Sequence, residues 1–312
     1  MREPFVYLTS PPNNADAVAR TFAIGKFDGL HIAHQAVLRQ AVSTAQKTHS
    51  TPCVFTFSPH PRFVLINDPA YEKMLTPPYE RAAVAKRFGI EELYVANFDT
   101  VFRTQSAEEF LAHYLIPLGA NHIVVGYNFH FGKNGATDAL GLCRIAEQMG
   151  ITIDVIDSVQ DHGHSVSSSL VRMNLELGDV VAAGKLLGRP YRMRGMVVRG
   201  DARGRTIGFP TANLTLTEPY VLPKTGVYVV AVEVDDAKYR GMMNLGYRPT
   251  VESALHISLE VHLLDFDGDL YGKELIVDVL YFIRDEERFA SLESLREQLG
   301  KDREFVQNWS TN

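Results

Sequence analysis

A chain of 312 residues that is 46% hydrophobic and 22% charged has apolar material for about two packed domains. Its net charge of −6 argues against a nucleic-acid partner, because phosphate binding selects a basic surface. The apolar runs are of strand length, short of the ~20 residues that cross a bilayer, and the opening MREPFVYLTSPPNN has no signal-peptide core. A cytoplasmic protein with no membrane partner is expected.

Residues 20 to 187 alternate short β-branched runs with helical patterns. Strands are predicted at Thr21–Ile24, Cys53–Phe57, Leu93–Ala96, His122–Val125 and Ile151–Ile156. A helix is predicted from near His34 to Lys47. Another is opened by Thr76-Pro77 and closed by Gly89, a third is opened by a Ser106/Glu109 capping box, and a fourth covers Asp138–Met149. Such alternation implies a parallel sheet covered on both faces. A short helix begun at Asp179 ends in Gly188 and Pro190, which places a domain boundary between Leu187 and Gly188. The strands predicted beyond it are Arg194–Arg199, Val227–Val234, Tyr239–Leu245, Ile257–Leu264 and Leu275–Phe282. Turn residues and no helices separate them, an antiparallel barrel or sandwich pattern. A last helix has Ser291 as N-cap and Leu292, Leu295 and Leu299 on one face. Cys53 and Cys143 lack Cys-x-x-Cys spacing and read as reduced, buried thiols.

The first predicted strand runs into Gly25-Lys26-Phe27-Asp28-Gly29-Leu30-His31-Ile32-Ala33-His34. His31 and His34, three apart at a helix entry, can face one anion together with the helix N–H groups. That suits nucleotide transfer with pyrophosphate leaving, although two histidines there can equally be packing. The segment resembles the GxFDGxHxGH motif of bacterial FMN adenylyltransferases, members of the HxGH nucleotidyltransferase superfamily. Further resemblances follow in order: residues 56–61 (TFSPHP) to TFxPHP, residues 126–132 (GYNFHFG) to GxNFxFG, and residues 166–169 (VSSS) with Arg172 to ISSTxxR. The resemblance implies a Rossmann-like α/β domain with His31 and His34 catalytic. Gly25, Phe27, Asp28, Gly29, Ser167, Ser168 and Arg172 would meet ATP and its phosphates. Asn128 would meet FMN or ATP, and Phe131 the flavin. Ala33 departs from the family glycine and brings a methyl close to ATP. Ser165 replaces the usual Arg, and Ser169 the usual Thr. Lys26 stands where Asn or a small residue is usual, and is read as restoring part of the charge missing at Ser165.

Residues 200–213 read GDARGRTIGFPTAN. Gly200, Gly204 and Gly208 allow close backbone approach, Arg203 and Arg205 carry forked donors suited to phosphate, and Thr211 and Asn213 offer oxygens of the kind Mg²⁺ accepts. There is no GK[ST] ending of a P-loop. On Ile257–Leu264 the alternation sets Ser258, Glu260 and His262 on one face and Ile257, Leu259, Val261 and Leu263 on the other. Singly, Pro-Thr-x-Asn is a good turn and a strand Glu is ordinarily solvated. Together they resemble the riboflavin kinase family, with its GRTxGFPTAN signature, an ExHL segment bearing the catalytic Glu, and a DLYG turn (Asp269–Gly272 here). That implies an antiparallel β-barrel kinase domain closed by a C-terminal helix. Glu260 would be the base for the ribityl hydroxyl. Thr211 and Asn213 would hold Mg²⁺ and the ATP phosphates. Gly200, Arg205 and Gly208 would fold over those phosphates, and Arg284 would stand at the flavin.

The reading is thus a bifunctional enzyme. Residues 188–312 would phosphorylate riboflavin to FMN, and residues 1–187 would adenylylate FMN to FAD. ATP is co-substrate in both steps, with Mg²⁺, and the partners are these small molecules. The alternatives are a kinase with a degraded, nucleotide-binding N-terminal domain, and a flavin or nucleotide sensor with neither activity. His60, His113, His122 and His130 read as loop or packing histidines, Glu91-Glu92 and Glu286-Glu287 as solvated charges, and Trp309 as a tail anchor.

Overall fold

A computed structural model describes residues 5–12, 18–132, 135–161, 163–200, 204, 207–249 and 255–310. The chain divides into two units, Met1–Ser168 and Ser169–Asn312.

The first unit is a six-stranded parallel sheet in the order β1-β4-β3-β2-β5-β8. Its strands are β1 Val6–Leu8, β2 Arg20–Ile24, β3 Thr51–Ser58, β4 Glu92–Asn97, β5 Ala120–Gly126 and β8 Thr152–Ile156. Two small antiparallel pairs, β6 His130–Phe131 with β7 Thr137–Asp138 and β9 Gln160–Asp161 with β10 His164–Ser165, lie in the loops. The five predicted strands are all present. β1 was not predicted, since three residues are too few to show a period. Parallel strands need crossover helices, and these are α1 Ile32–Thr48, α2 Pro61–Ile66, α3 Pro78–Arg87, α4 Ala107–Phe110 and α5 Ala139–Gln148. The predicted Ser106/Glu109 capping box closes both hydrogen bonds, and α4 widens into a π-helical turn over Leu111–Leu115. Successive side chains alternate between two cores. Phe22, Ile24, Cys53 and Phe55 face one side, while Ala23, Val54, Val95 and Val124 face the other.

The order of the strands decides where a ligand goes. From β2 the chain builds outward through β3 and β4, then returns to place β5 on the other flank of β2. The carboxyl ends of β2 and β5 are therefore a topological switch point, where open α/β sheets bind their ligands.

The second unit carries α6 Ser168–Leu177 from its second residue, α7 Val180–Leu187, and a closed six-stranded antiparallel barrel. The barrel strands are β11 Tyr191–Val198, β12 Ala212–Leu216, β13 Gly226–Val234, β14 Ala237–Pro249, β15 Leu255–Leu263 and β16 Glu274–Arg284. α7 has Asp179 as N-cap and a left-handed Gly188 at its end, as its sequence predicts, and it packs on β11 and β16. The two contact units thus divide earlier than Leu187–Gly188. α8, Leu292–Asn308, is capped by Ser291 and lies against β14. β12 is the strand that the turn-like Pro-Thr-x-Asn sequence concealed. Trp309 does anchor the tail: Arg240 donates to its carbonyl at 2.5 Å and covers its ring.

One expectation is overturned in the first unit. Glu92 is not a solvated charge: it takes Arg20 Nε at 2.6 Å and the Tyr94 hydroxyl at 2.7 Å. Cys53 is buried beside Glu92, and burial first, then that carboxylate, pushes its thiol well above the ordinary range. It is an inert core thiol.

Candidate active sites

The turn after β2 is folded by its own buried side chains. Phe27 and Leu30 adopt left-handed backbone at φ 48° and 45°, a conformation costing about 1–2 kcal/mol per residue without glycine. Both side chains are almost wholly buried in the α1-side core, and each burial gains about 1.5–3 kcal/mol, enough to hold the strain. Gly29, at φ 94°, avoids the same penalty. A methyl on Gly25 would sit 3.2 Å from the Phe27 ring. The Asp28 carboxylate is turned inward, where it accepts from the N–H groups of Leu75 at 2.8 Å and Thr76 at 3.2 Å. Asp28 therefore ties the segment before α3 to this turn. Its backbone carbonyl accepts from Ser168 Oγ at 2.7 Å, so the Ser167-Ser168 segment is docked on the same turn.

His31 is the N-cap of α1, which begins two positions before the predicted start at His34. Its Nδ1 accepts from the His34 N–H at 3.3 Å, so in the neutral ring the proton resides on Nε2. The two imidazoles stack with centroids 3.6 Å apart and 14° between planes, and Phe27 packs edge-on against His34. Ala33 lies half-buried in the same first turn. The pair is thus one stacked unit at the mouth of the switch point. After β5, Tyr127 and Asn128 are exposed, whereas Phe131 is buried with its ring 4.3 Å from Phe110. Phe131 therefore supports this loop from the core side. Arg172 is buried on α6. His60 caps α2 and packs on Tyr71, a structural role as read.

In the barrel, Thr211 precedes β12, and Asn213 on it shares its face. Asn213 and Asn244 are the cross-strand partners of Glu260 on either side. Thr211 Oγ1 donates to Glu260 Oε2 at 3.2 Å and Ser258 Oγ donates to Oε1 at 3.2 Å. Gly200 and Gly204 lie against this cluster. A Cβ on Gly200 would fall 2.5 Å from Asn213 Cγ, and one on Gly204 would strike the Phe209 carbonyl and lie 3.3 Å from Thr211 Oγ1. Gly208 needs its left-handed φ of 86°. Arg203 and Arg205 lie outside the described residues.

Glu260 and Thr211 line a cavity of about 420 Å³ together with Phe289, Leu292, Leu295 and Leu299. A space with apolar walls and a few polar side chains suits a flat apolar ring system carrying a polyhydroxyl chain. Arg284 grips Asp302 of α8, its Nη2 donating to Oδ2 at 2.7 Å and its Nε to Oδ1 at 3.1 Å. Glu286 and Glu287 line the same cavity, and Gly246 makes room for the Glu286 carboxylate. Both remain exposed, as expected of solvated charges. Among the described residues no three His, Cys, Asp or Glu side chains group to hold a metal alone.

His262 Nδ1–H donates to the Pro210 carbonyl at 2.7 Å, fixing the segment that presents Thr211. Burial lowers its pKa despite that bond, and Arg303 lowers it further. The folded barrel disfavours the protonated ring, while the unfolded chain takes up a proton near pH ~6.5. This contribution to stability is full above that value and falls as pH drops below it. We expect urea unfolding between pH 7.5 and 5.5, followed by the fluorescence of Trp309, the sole tryptophan, to lose stability, and His262→Asn to flatten that slope. Asp302, 2% exposed, is a second target. Asp302→Ala strands the Arg284 cation and should cost the barrel about 3–5 kcal/mol by the same probe, with Asp302→Asn milder.

Three kinds of similarity agree with this geometry. Residues 13–170 match the family described as FAD synthetase, and residues 187–310 the family described as riboflavin kinase. A bifunctional riboflavin kinase/FMN adenylyltransferase of Listeria monocytogenes is 37% identical over 91% of this chain and 90% of its own. Its counterpart in Bacillus subtilis is 36% identical over 98% of both chains. A Streptococcus pneumoniae structure described as a macrolide-efflux protein superposes with a TM-score of 0.90 at 36% identity, covering 98% of this chain and 99% of its own. Among the described residues of the present chain no helix is long and apolar enough to cross a membrane.

Proposed function

This chain belongs to the bifunctional riboflavin kinase/FMN adenylyltransferase family, and on that premise we propose that the Glu260 cluster phosphorylates riboflavin and the His31–His34 pair adenylylates the FMN so formed. Both steps consume ATP. The start of the riboflavin kinase match at residue 187 supports a functional boundary at Leu187–Gly188.

In the first step the terminal ribityl hydroxyl attacks the γ-phosphorus of ATP, the bond to the bridging oxygen of ADP breaks, and the hydroxyl proton passes to Glu260. Thr211 and Ser258 hold both carboxylate oxygens and so fix where that base points. Thr211 and Asn213 fit Mg²⁺, which takes one or two protein oxygens and completes its shell with phosphate and water. The ion would supply charge neutralisation at the transferred phosphate. Gly200 and Gly208 let the preceding segment close over that phosphate, with Arg205 as its cation, and Arg284 with α8 frames the flavin end.

In the second step an FMN phosphate oxygen attacks the α-phosphorus of ATP and pyrophosphate leaves, so no protein nucleophile or base is needed. His31 and His34 donate to the charge that develops. Gly25, Phe27 and Gly29 shape the turn against ATP, Asp28 holds it to the Leu75-Thr76 segment, Ser167, Ser168 and Arg172 attend the phosphates, and Asn128 meets the flavin nucleotide over Phe131. A cytoplasmic enzyme, with ATP at hand, fits both steps.

The single observation that carries this reading is that Thr211 and Glu260, hydrogen-bonded to each other and with Asn213 as the cross-strand partner of Glu260, line a cavity that also has apolar walls. Chromatography of the products from riboflavin, and separately from FMN, with ATP and Mg²⁺ tests it. FMN then FAD is expected from the first and FAD from the second. FMN alone would leave the N-terminal unit without turnover, and no product from either would remove both activities.

A further inference from the structure

Two cations outside the histidine pair stand at the same edge of the parallel sheet. Lys26 lies in the turn after β2 and Arg62 in the first turn of α2, just after β3. These strands are neighbours, with Ile24 paired to Phe55, and Thr56 Oγ1 donates to the Lys26 carbonyl at 2.9 Å. The backbone at Lys26 is fixed from both sides, by Gly25 against the Phe27 ring and by the left-handed, core-anchored Phe27. Arg62 is held as firmly. Its Nη1 donates to the Tyr71 hydroxyl at 2.8 Å, and its guanidinium carbon lies 4.6 Å from that ring centre. Asp68 Oδ2, 3.9 Å from Nη2, is at the limit of an ion pair.

Lys26 is open to solvent, yet protein crowds its ammonium. Desolvation lowers its pKa, and the Arg62 guanidinium lowers it further. Like charges held together disfavour each other's charged forms, and no carboxylate among the described residues pairs with Lys26 to relieve them. An anion between the two would do so. On the β5 flank, where the resemblance leads one to expect Arg, the Ser165 hydroxyl meets, among the described residues, the Tyr127 hydroxyl at 3.3 Å and the Ser158 hydroxyl at 3.1 Å. That flank supplies hydroxyls, and the positive charge stands on the β3 flank.

We propose that Lys26 and Arg62 form a two-cation clamp for a phosphate group of the adenylylation substrates, beside His31 and His34. The inference rests on the N-terminal site assigned above. Lys26 gives a compact point charge and Arg62 a planar fork, a combination suited to phosphate oxygens. Two sources carry that group: the triphosphate end of ATP, released as pyrophosphate, and the monoester of FMN.

The test uses the full chain with FMN and ATP. Lys26→Ala, Arg62→Ala and the double variant are compared by KM for ATP, KM for FMN and the inhibition constant of pyrophosphate, with riboflavin phosphorylation as the control for folding. Loss of either cation should weaken one phosphate-bearing ligand about tenfold, the size of one charge-assisted contact, and Lys26→Arg should restore most of it. Weaker ATP and pyrophosphate with FMN unchanged assigns the clamp to the triphosphate. Weaker FMN alone assigns it to the flavin phosphate. Unchanged constants for all three ligands, or a fall in kcat alone that Lys26→Arg does not rescue, overturn the clamp. If His31→Ala and His34→Ala leave FAD formation intact, the underlying site is wrong whatever Lys26 does.

Discussion

Glu260→Gln should lower riboflavin phosphorylation by about a hundredfold to ten-thousandfold, the usual span for a positioned general base, while FAD formation from supplied FMN stays at the wild-type rate. Gln keeps the volume and can still bond Thr211 and Ser258, so the barrel should hold its fold. What it removes is the capacity to take the hydroxyl proton. Initial rates from riboflavin and from FMN read the two effects separately. Wild-type FMN production by Glu260→Gln would leave the carboxylate as a structural acceptor for its two hydroxyl neighbours. A parallel fall in both activities would point to a folding defect, and Trp309 fluorescence would show it.

The converse is expected at the other site. His31→Asn and His34→Ala should each cut FAD formation by about a hundredfold to a thousandfold, the loss seen when one donor to developing charge is removed, with riboflavin phosphorylation unchanged. Asn is chosen at position 31 because His31 is also the α1 N-cap. Asn is among the best caps, whereas Ala there would cost about 0.5–2 kcal/mol and confuse stability with chemistry. Undiminished FAD formation by His31→Asn would reduce the histidine to its capping role.

Much of the fold is legible in the sequence because its signals are local. Period-two alternation marks the strands, and Ser106, Asp138, Asp179 and Ser291 each announce a helix whose cap bond is then made. β12 escapes because Pro-Thr-x-Asn is good turn chemistry, and only pairing with β11 and β15 makes it a strand. The motif residues of both sites are legible in the same way, since each motif is a contiguous stretch. What is not legible is set by register between distant segments. Asp302 looks like any helix surface charge until Arg284 reaches it, and Glu92 looks solvated until Arg20 pairs with it. The inward turn of Asp28 onto Leu75 and Thr76 is of the same kind. A motif identifies a residue as necessary without saying whether it touches substrate or holds the loop that does.

The central claim is that one chain carries two separate sites in series, and a mixing experiment tests it most directly. Glu260→Gln and a His31→Asn/His34→Ala double variant are each given riboflavin, ATP and Mg²⁺, alone and then together. The first alone should yield almost no product and the second alone should stop at FMN, whereas the mixture should yield FAD. FAD from the histidine variant alone, or a mixture that stops at FMN, would contradict two independent sites linked by FMN.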